Sequence, residues 1–485
     1  MAERYDAIVI GAGMGGASCA ALLAKRGLRV LVLDKNSIPG GKAMTLAKRG
    51  FGYELWPIVG GPSLGSQFER VLAELGVPGE VEILAPKQKN LLVYRRADGS
   101  VGRVVGSARP EDANPLLLAE LLGLGEAEVA EAARLMMDIV SMPAAEVDAL
   151  DDVSLADVIA RYRVPQSVVS YWGMWVNIVF VVGLDRVAAS EAILTFQDFM
   201  RNGAGRYHGG GFGKMAEAFC RSVERSGGSV RLRARVERIR IEDGAVRGVD
   251  TDAGAFDAPI VVSNAGIQPT VLRLAGEENF GKPYVERVRS LVPSEAIIGF
   301  RYFMDRPVIE HGMAISFSDA SHLHAARLAE IEAGRLPDEP LLFCVVPSAY
   351  DPGLASEGGQ CALVGTICTP DPDFAHAEAL LERLDSHFRR LWPEAEKAVQ
   401  RVERYTSADV SSLTRDRAVV RQGGECIGLA QSVGQCGRHK PDARAPVHGL
   451  YFVGCDAGGR GCGTHQAVDS GVNVAKLVLE DRAAG

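Results

Sequence analysis

Gly11-Ala12-Gly13-Met14-Gly15-Gly16, followed by Asp34, is the part of this chain best suited to chemistry, because it can hold a diphosphate and a ribose at a fixed spacing. Gly11 permits a tight turn, Gly13 lets backbone approach a pyrophosphate, and Gly16 lets a helix pack closely on a strand. The first turn of that helix, with Met14 and Gly15, receives the phosphate charge. Asp34 falls about 20 residues on, the offset of the acid that takes ribose hydroxyls. NAD and FAD both bind such units. No nucleophile with its base and no carboxylate pair stands out elsewhere. The one other titratable candidate is His465, in the Gly-rich run Ala457–Gln466; it is suited to moving a proton, hydrogen-bonding a ring edge or capping a helix.

The elements that must position these groups follow from the apolar pattern. Tyr5–Ile10 and Leu28–Leu33 read as buried strands around a helix, and the second ends on Asp34. At the far end, Gly449–Val453 reads as a last strand that delivers Gly454, Cys455 and Asp456 at its C-terminal edge, where open parallel sheets bind ligands. A Gly-rich loop and a helix from about Ala467 to Glu480 come next. In the middle, a Gly-rich turn at 209–213 precedes an amphipathic helix, a strand through Val236, a hairpin at 244–249 and a strand at 260–265 that reaches Asn264.

The residues after Asp34, Lys35-Asn36-Ser37-Ile38-Pro39-Gly40-Gly41-Lys42, resemble the flavoprotein superfamily that contains phytoene desaturases, amine oxidases and Rab escort proteins. There an acid is followed by a short spacer and a Gly-Gly-Arg/Lys turn. The block 207–239 resembles the phytoene desaturase branch, with its carotenoid isomerases and retinol saturases. The resemblance implies FAD, held by Gly11, Gly13, Met14, Gly15, Gly16, Asp34, Lys35, Gly41, Lys42, Trp56, Val236, Asn264, Gly454, Asp456, Gly463, Thr464 and His465. Asp456 is implied to hydrogen-bond the ribityl chain, Trp56 to lie beside the ring, and the amides of 457–466 to face the N1/O2 edge of a reduced isoalloxazine. Gly461–Gln466 departs from the Gly-Ile-Pro-Gly-Val-like run of carotenoid desaturases, which puts carotenoid as the substrate in doubt.

The expected fold is α/β: a discontinuous Rossmann-type FAD-binding domain (1–75, 207–285 and 406–485) with an inserted mixed-sheet and helical substrate domain (76–206 and 286–405). Within the first insertion, Tyr171, Trp172, Trp175 and Phe180 lie in a run that is apolar on nearly every face; it fits a core helix or the lining of a lipophilic pocket. The reaction implied is desaturation, saturation or isomerisation at C–C/C=C bonds of a lipophilic or cyclic alkenyl substrate by hydride transfer with flavin N5. Quinone, dioxygen and an electron-transfer protein remain open as electron acceptor. An amine oxidase-like enzyme is the alternative, with Cys426 in the region where some amine oxidases tether flavin, and a non-catalytic escort-like protein is a third reading.

A net charge of −8, with 47% hydrophobic and 24% charged residues, disfavours nucleic acid as a partner and is ordinary for a globular chain. No run reaches the roughly 18 apolar residues of a spanning helix, although peripheral membrane contact through an apolar rim stays compatible. Nine cysteines without a C-x-x-C pair, and no ligand-spaced cluster, lead us to expect reduced thiols, a cytoplasmic setting and no metal.

Overall fold

The computed structural model describes residues 3–60, 65–84, 89–106 and 115–484. Along the chain come β1 (Ala7–Ile10), α1 (Met14–Lys25), β2 (Val30–Asp34), the hairpin β3 (Asn90–Arg95) and β4 (Val101–Gly106), and helices α2 (Pro115–Leu122), α3 (Glu126–Ser141), α4 (Gln166–Val179), α5 (Ala189–Asn202) and α6 (Gly213–Arg225). Strands β5 (Ser229–Leu232), β6 (Val236–Glu242), β7 (Ala245–Thr251), β8 (Gly254–Asp257) and β9 (Val261–Ser263) follow. After them lie β10 (Ala296–Met304), β11 (Met313–Ser318), β12 (Leu342–Val345), β13 (Gln360–Cys368), α7 (Ala377–Leu391), β14 (Val399–Tyr405), β15 (Leu450–Phe452) and α8 (Gly463–Ala484).

A five-stranded parallel sheet in the order β5-β2-β1-β9-β15 carries the nucleotide-type motifs. All but the half-buried edge strand β5 are buried on both faces, which is why β1 and β2 read as unbroken aliphatic runs. Helix α1 is made mostly of small residues and is buried from Met14 to Ala24, so it can lie against both the sheet and α8. Gly11 has φ +93°, a region closed to most side chains. A Cβ on Gly16 would stand 2.1 Å from the Gly11 carbonyl oxygen, so helix and strand can meet only through glycine. Beside this sheet, β6, β7 and β8 form an antiparallel meander.

The second large element is a seven-stranded mixed sheet in the order β14-β10-β13-β12-β11-β3-β4. It joins segments far apart in sequence: β3 pairs parallel with β11, Leu92 opposite Ile315, while its other ladders are antiparallel. Helices α4 and α5 lie between this sheet and the end of the parallel sheet. The periodic stretch from Glu126 to Ser141 predicts a helix with the bounds that α3 has, whereas α8 starts at Gly463, four residues before the expected Ala467. Gly463, Thr464 and His465 are therefore the first turn of a helix rather than loop. The step Asn114-Pro115 predicts a helix start ahead of the periodic stretch Leu116 to Leu124; Asn114 lies outside the described residues.

Candidate active site

One cavity of about 540 Å³ begins at the C-terminal end of β2, passes the start of α1 and the start of α8, and continues between α4, α5 and the seven-stranded sheet. Its position is where ligands of open parallel sheets bind. Gly11, Gly13, Met14, Gly15, Asp34, Lys35, Gly41, Lys42, Trp56, Val236, Asn264, Gly454, Asp456, Gly463 and Thr464 all line it. Gly16 does not; it serves the packing of α1 on β1.

Asp34 is buried, and each of its oxygens accepts one backbone N–H, from Ala12 at 2.7 Å and from Asn36 at 2.7 Å. A carboxylate has about four acceptor positions, so two remain for ligand hydroxyls. Burial raises its pKa, opposed by those two N–H groups and by Lys35. Lys35 itself is tied to Asp416 at 2.8 Å, and Asp416 also holds Arg235 at 2.8 Å. This chain of charges fixes the rim of the cavity beside Ala234 and Val236.

The start of α1 has no side-chain cap and no acidic residue in its first turn, which leaves its N–H groups and dipole directed at whatever lies in the cavity. A Cβ on Gly13 would sit 2.6 Å from the Asn264 amide nitrogen, and one on Gly15 would sit 2.8 Å from the Gly454 Cα. The walls are thus bare backbone, as a diphosphate cradle requires. These residues fit FAD: a ribose acceptor, an uncapped helix start, a glycine-lined passage and a second helix start at Gly463 succeed one another along a single cavity.

Asp456 differs from expectation. One oxygen accepts from the Leu429 N–H (2.9 Å) and the other from the Ile267 N–H (2.9 Å), while Arg415 meets both, at 3.3 and 3.1 Å. Four donors occupy its four acceptor positions, so none is left for a ribityl hydroxyl. Burial alone would raise its pKa, but Arg415 and the backbone donors hold it low. The carboxylate instead locks three loops together under the cavity floor. Arg415 also reaches Glu425 at 3.0 Å, and the Lys42 ammonium lies 3.6 Å from the same carboxylate. The four charges cancel. Arg415 and Glu425 were not anticipated, since they occupy irregular chain with no motif spacing.

His465 also differs. It stands in the first turn of α8, yet Gly463, Thr464 and Ala467 line the cavity and His465 does not. Helical geometry turns its side chain away from the face that carries those three. Burial and the nearby Arg206 lower its pKa. Of the four aromatic positions, Tyr171 and Trp175 line the cavity, while Trp172 and Phe180 are buried in the core. Tyr171, Met174, Trp175 and Ile178 form the i, i+3, i+4, i+7 stripe of α4; Trp172 lies off this stripe, behind the lining rings, 5.8 Å from Trp175 and 4.8 Å from Phe196 between ring centroids. Cys426 lines the cavity as a buried thiol whose pKa is pushed up to about 12 by desolvation, so it is protonated and a poor nucleophile at neutral pH.

The model of the family described as flavin containing amine oxidoreductase matches residues 14–479. The chain is 26% identical over 526 aligned residues to prolycopene isomerase 2 of an Oncidium hybrid cultivar, covering 99% of this chain and 84% of that protein. It is 24% identical to human all-trans-retinol 13,14-reductase, covering 94% and 82%. An oxidoreductase from Methanosarcina mazei superposes with a TM-score of 0.74 at 19% identity, covering 97% of this chain and 100% of the other, and a putrescine oxidase variant with 0.70 at 17%, covering 99% of each. With a family match that spans the cavity from the first turn of α1 to the last helix, and a glycine-lined cradle that fits a flavin dinucleotide, the chain belongs to the flavin-containing amine oxidoreductase family and is an FAD-dependent oxidoreductase.

Proposed function

We propose that this enzyme acts on carbon–carbon bonds of a lipophilic alkenyl compound, by desaturation, saturation or isomerisation. The observation that carries the reading is the composition of the cavity beyond the cofactor cradle. There α4 and α5 contribute Tyr171, Met174, Trp175, Ile178, Val179, Phe196, Phe199 and Met200, and the facing sheet contributes Asn90, Leu92, Ile297, Met313, Ile315 and Phe343. None of these is charged. The acids that do line the cavity, Asp34, Asp416 and Asp456, stand at the dinucleotide end, two paired with Arg or Lys and Asp34 held by backbone N–H groups. An apolar arm of this kind takes up an apolar chain and excludes water, whereas a cationic amine would lose its hydration without a partner. The activities for which the sequence relatives are named, isomerase, desaturase and 13,14-reductase, point the same way.

When bound, FAD supplies a hydride acceptor or donor. The chain's own work is placement: the aromatic and aliphatic side chains of α4, α5 and the sheet hold the substrate in a dry slot, and no protein nucleophile is called for. Pairing in the Lys42, Glu425, Arg415 and Asp456 cluster keeps the floor electrostatically neutral. Anaerobic mixing of the yellow protein with polyene hydrocarbons, retinoids, terpenes and amines, followed by the same panel against photoreduced protein, tests this. Loss or return of the oxidised flavin band with alkenyl compounds is expected; a response to amines alone would overturn the reading.

A further inference from the structure

We propose that Asn90 is the specificity residue of the apolar arm, and that the substrate carries a hydroxyl or oxo group where it meets this side chain. The assignment rests on the alkenyl-substrate reading above. Asn90 is the first residue of β3; it lines the cavity at 7% exposure, and its carboxamide oxygen is buried without a hydrogen-bond partner among the described residues. Leaving such a group unpaired forfeits its hydration with nothing in return, so a buried orphan acceptor in a largely apolar wall needs an explanation. Among the described residues that α4, α5 and the seven-stranded sheet contribute to the wall, Asn90, Tyr171 and Trp175 carry hydrogen-bonding side chains, and of these Trp175 can only donate, through its indole N–H. Leu92, two residues on and on the same face of the strand, is apolar, as are Ile315 opposite it and Met313. Nothing in strand β3 requires an amide at this position.

Rotation of the amide exchanges its oxygen and NH2 ends, so Asn90 can accept from a hydroxyl or donate to a hydroxyl or carbonyl, and it has no use for a pure hydrocarbon. Its place sets the geometry. In the sheet order, β3 is four strands from β10, whose Ile297 lines the cavity and shares with Pro57 the surroundings of Gly365; at roughly 4.8 Å per strand the two walls are about 19 Å apart. Asn90 therefore meets the distal end of an elongated substrate, and it orders the substrate by its polar terminus while the apolar stripe of α4 covers the chain between.

The test uses holoenzyme and two matched pairs of linear polyenes, a C20 alcohol and a C40 alcohol, each with its deoxygenated hydrocarbon. Dissociation constants come from quenching of tryptophan fluorescence, and turnover from the flavin band. Wild type is expected to favour the alcohol of at least one pair by about 10–100-fold, and Asn90→Leu to erase that preference by weakening the alcohol alone, with thermal stability unchanged or raised because the orphan amide is gone. Asn90→Ala gives the same comparison should the leucine variant fail to accumulate as yellow protein. Equal loss on both members, or no change on either, would overturn the role of Asn90 while leaving the alkenyl reading standing. A wild type that binds and turns over neither pair would overturn the alkenyl reading, and the assignment with it.

Discussion

Asp34 lines the cavity with two of its acceptor positions spent on Ala12 and Asn36 and two left over, and we propose that these two take the ribose hydroxyls of FAD. Asp34→Ala should weaken FAD binding by about 1.5–3 kcal/mol, measured by titrating apoprotein with FAD, and excess FAD should restore turnover. His465, pointing away from the cavity, belongs to the frame. His465→Ala should retain FAD and nearly all turnover; a loss of about 10²–10⁴-fold in kcat would return it to an acid–base role. His208 is the residue with the clearest pH signature. It is fully buried, its ring is 4.5 Å from Phe212 and 5.1 Å from Phe68 between centroids, and neither nitrogen makes a hydrogen bond of good geometry among the described residues. Desolvation first, then the charge of Arg206, pushes its pKa down to about 3 from 6.5. The folded state thus binds fewer protons than the unfolded one between these values, so His208 contributes in full above pH 6.5 and its contribution is lost as pH falls toward 3. His208→Phe should keep the ring packing and lower the slope of stability against pH in that window by up to about 1.4 kcal/mol per pH unit, read from denaturant unfolding at a series of pH values.

At the scale of elements, α4 has one stripe on the cavity and the other in the core, so neighbouring tryptophans should behave differently. Trp175→Ala should raise KM or the substrate dissociation constant with little effect on folding. Trp172→Ala, which empties a 2% exposed site, should cost about 3–5 kcal/mol in unfolding free energy while FAD affinity changes little. Similar stability losses in both would show that the stripe is misplaced. The start of α8 is the second element that matters, because beginning at Gly463 it turns the end of a glycine-rich run into a helix N-terminus facing the cavity.

For the whole molecule, the cavity is assembled from segments of 10–60, 90–106, 171–205, 234–274, 297–343 and 414–467, so a bound FAD would add contacts between chain regions far apart in sequence. A ligand that binds the folded state alone stabilises it by about 2.7 kcal/mol at a hundredfold excess over its dissociation constant. Acid-stripped protein should therefore melt well below the holoprotein, with Tm rising on addition of FAD and not of FMN or NAD. With Cys426 protonated and inert, acid precipitation should release the flavin into the supernatant; flavin that stays in the pellet would mean a covalent tether.

The cofactor end of the site could be read from the chain because it is local. A strand, a glycine turn and a helix start are set by φ requirements, close approach and aliphatic runs a few residues long, and Asp34 follows at an offset fixed by one βαβ unit. Of the residues expected from the fingerprint and the Gly-Gly-Lys turn, only Gly16 stands off the cavity, in the packing role its contact with Gly11 gives it. What could not be read is long-range. Which face of α4 meets the cavity depends on its packing against the seven-stranded sheet, and a helix apolar all round carries no periodic signal to say so. The side chain of His465 points away because α8 begins one turn early, and Asp456 is saturated by donors from 267, 415 and 429, three places that no spacing rule connects. The partnerless amide of Asn90 is the same kind of fact: an ordinary asparagine at a strand start until a parallel pairing with residues 314–318 carries it to the wall of the cavity.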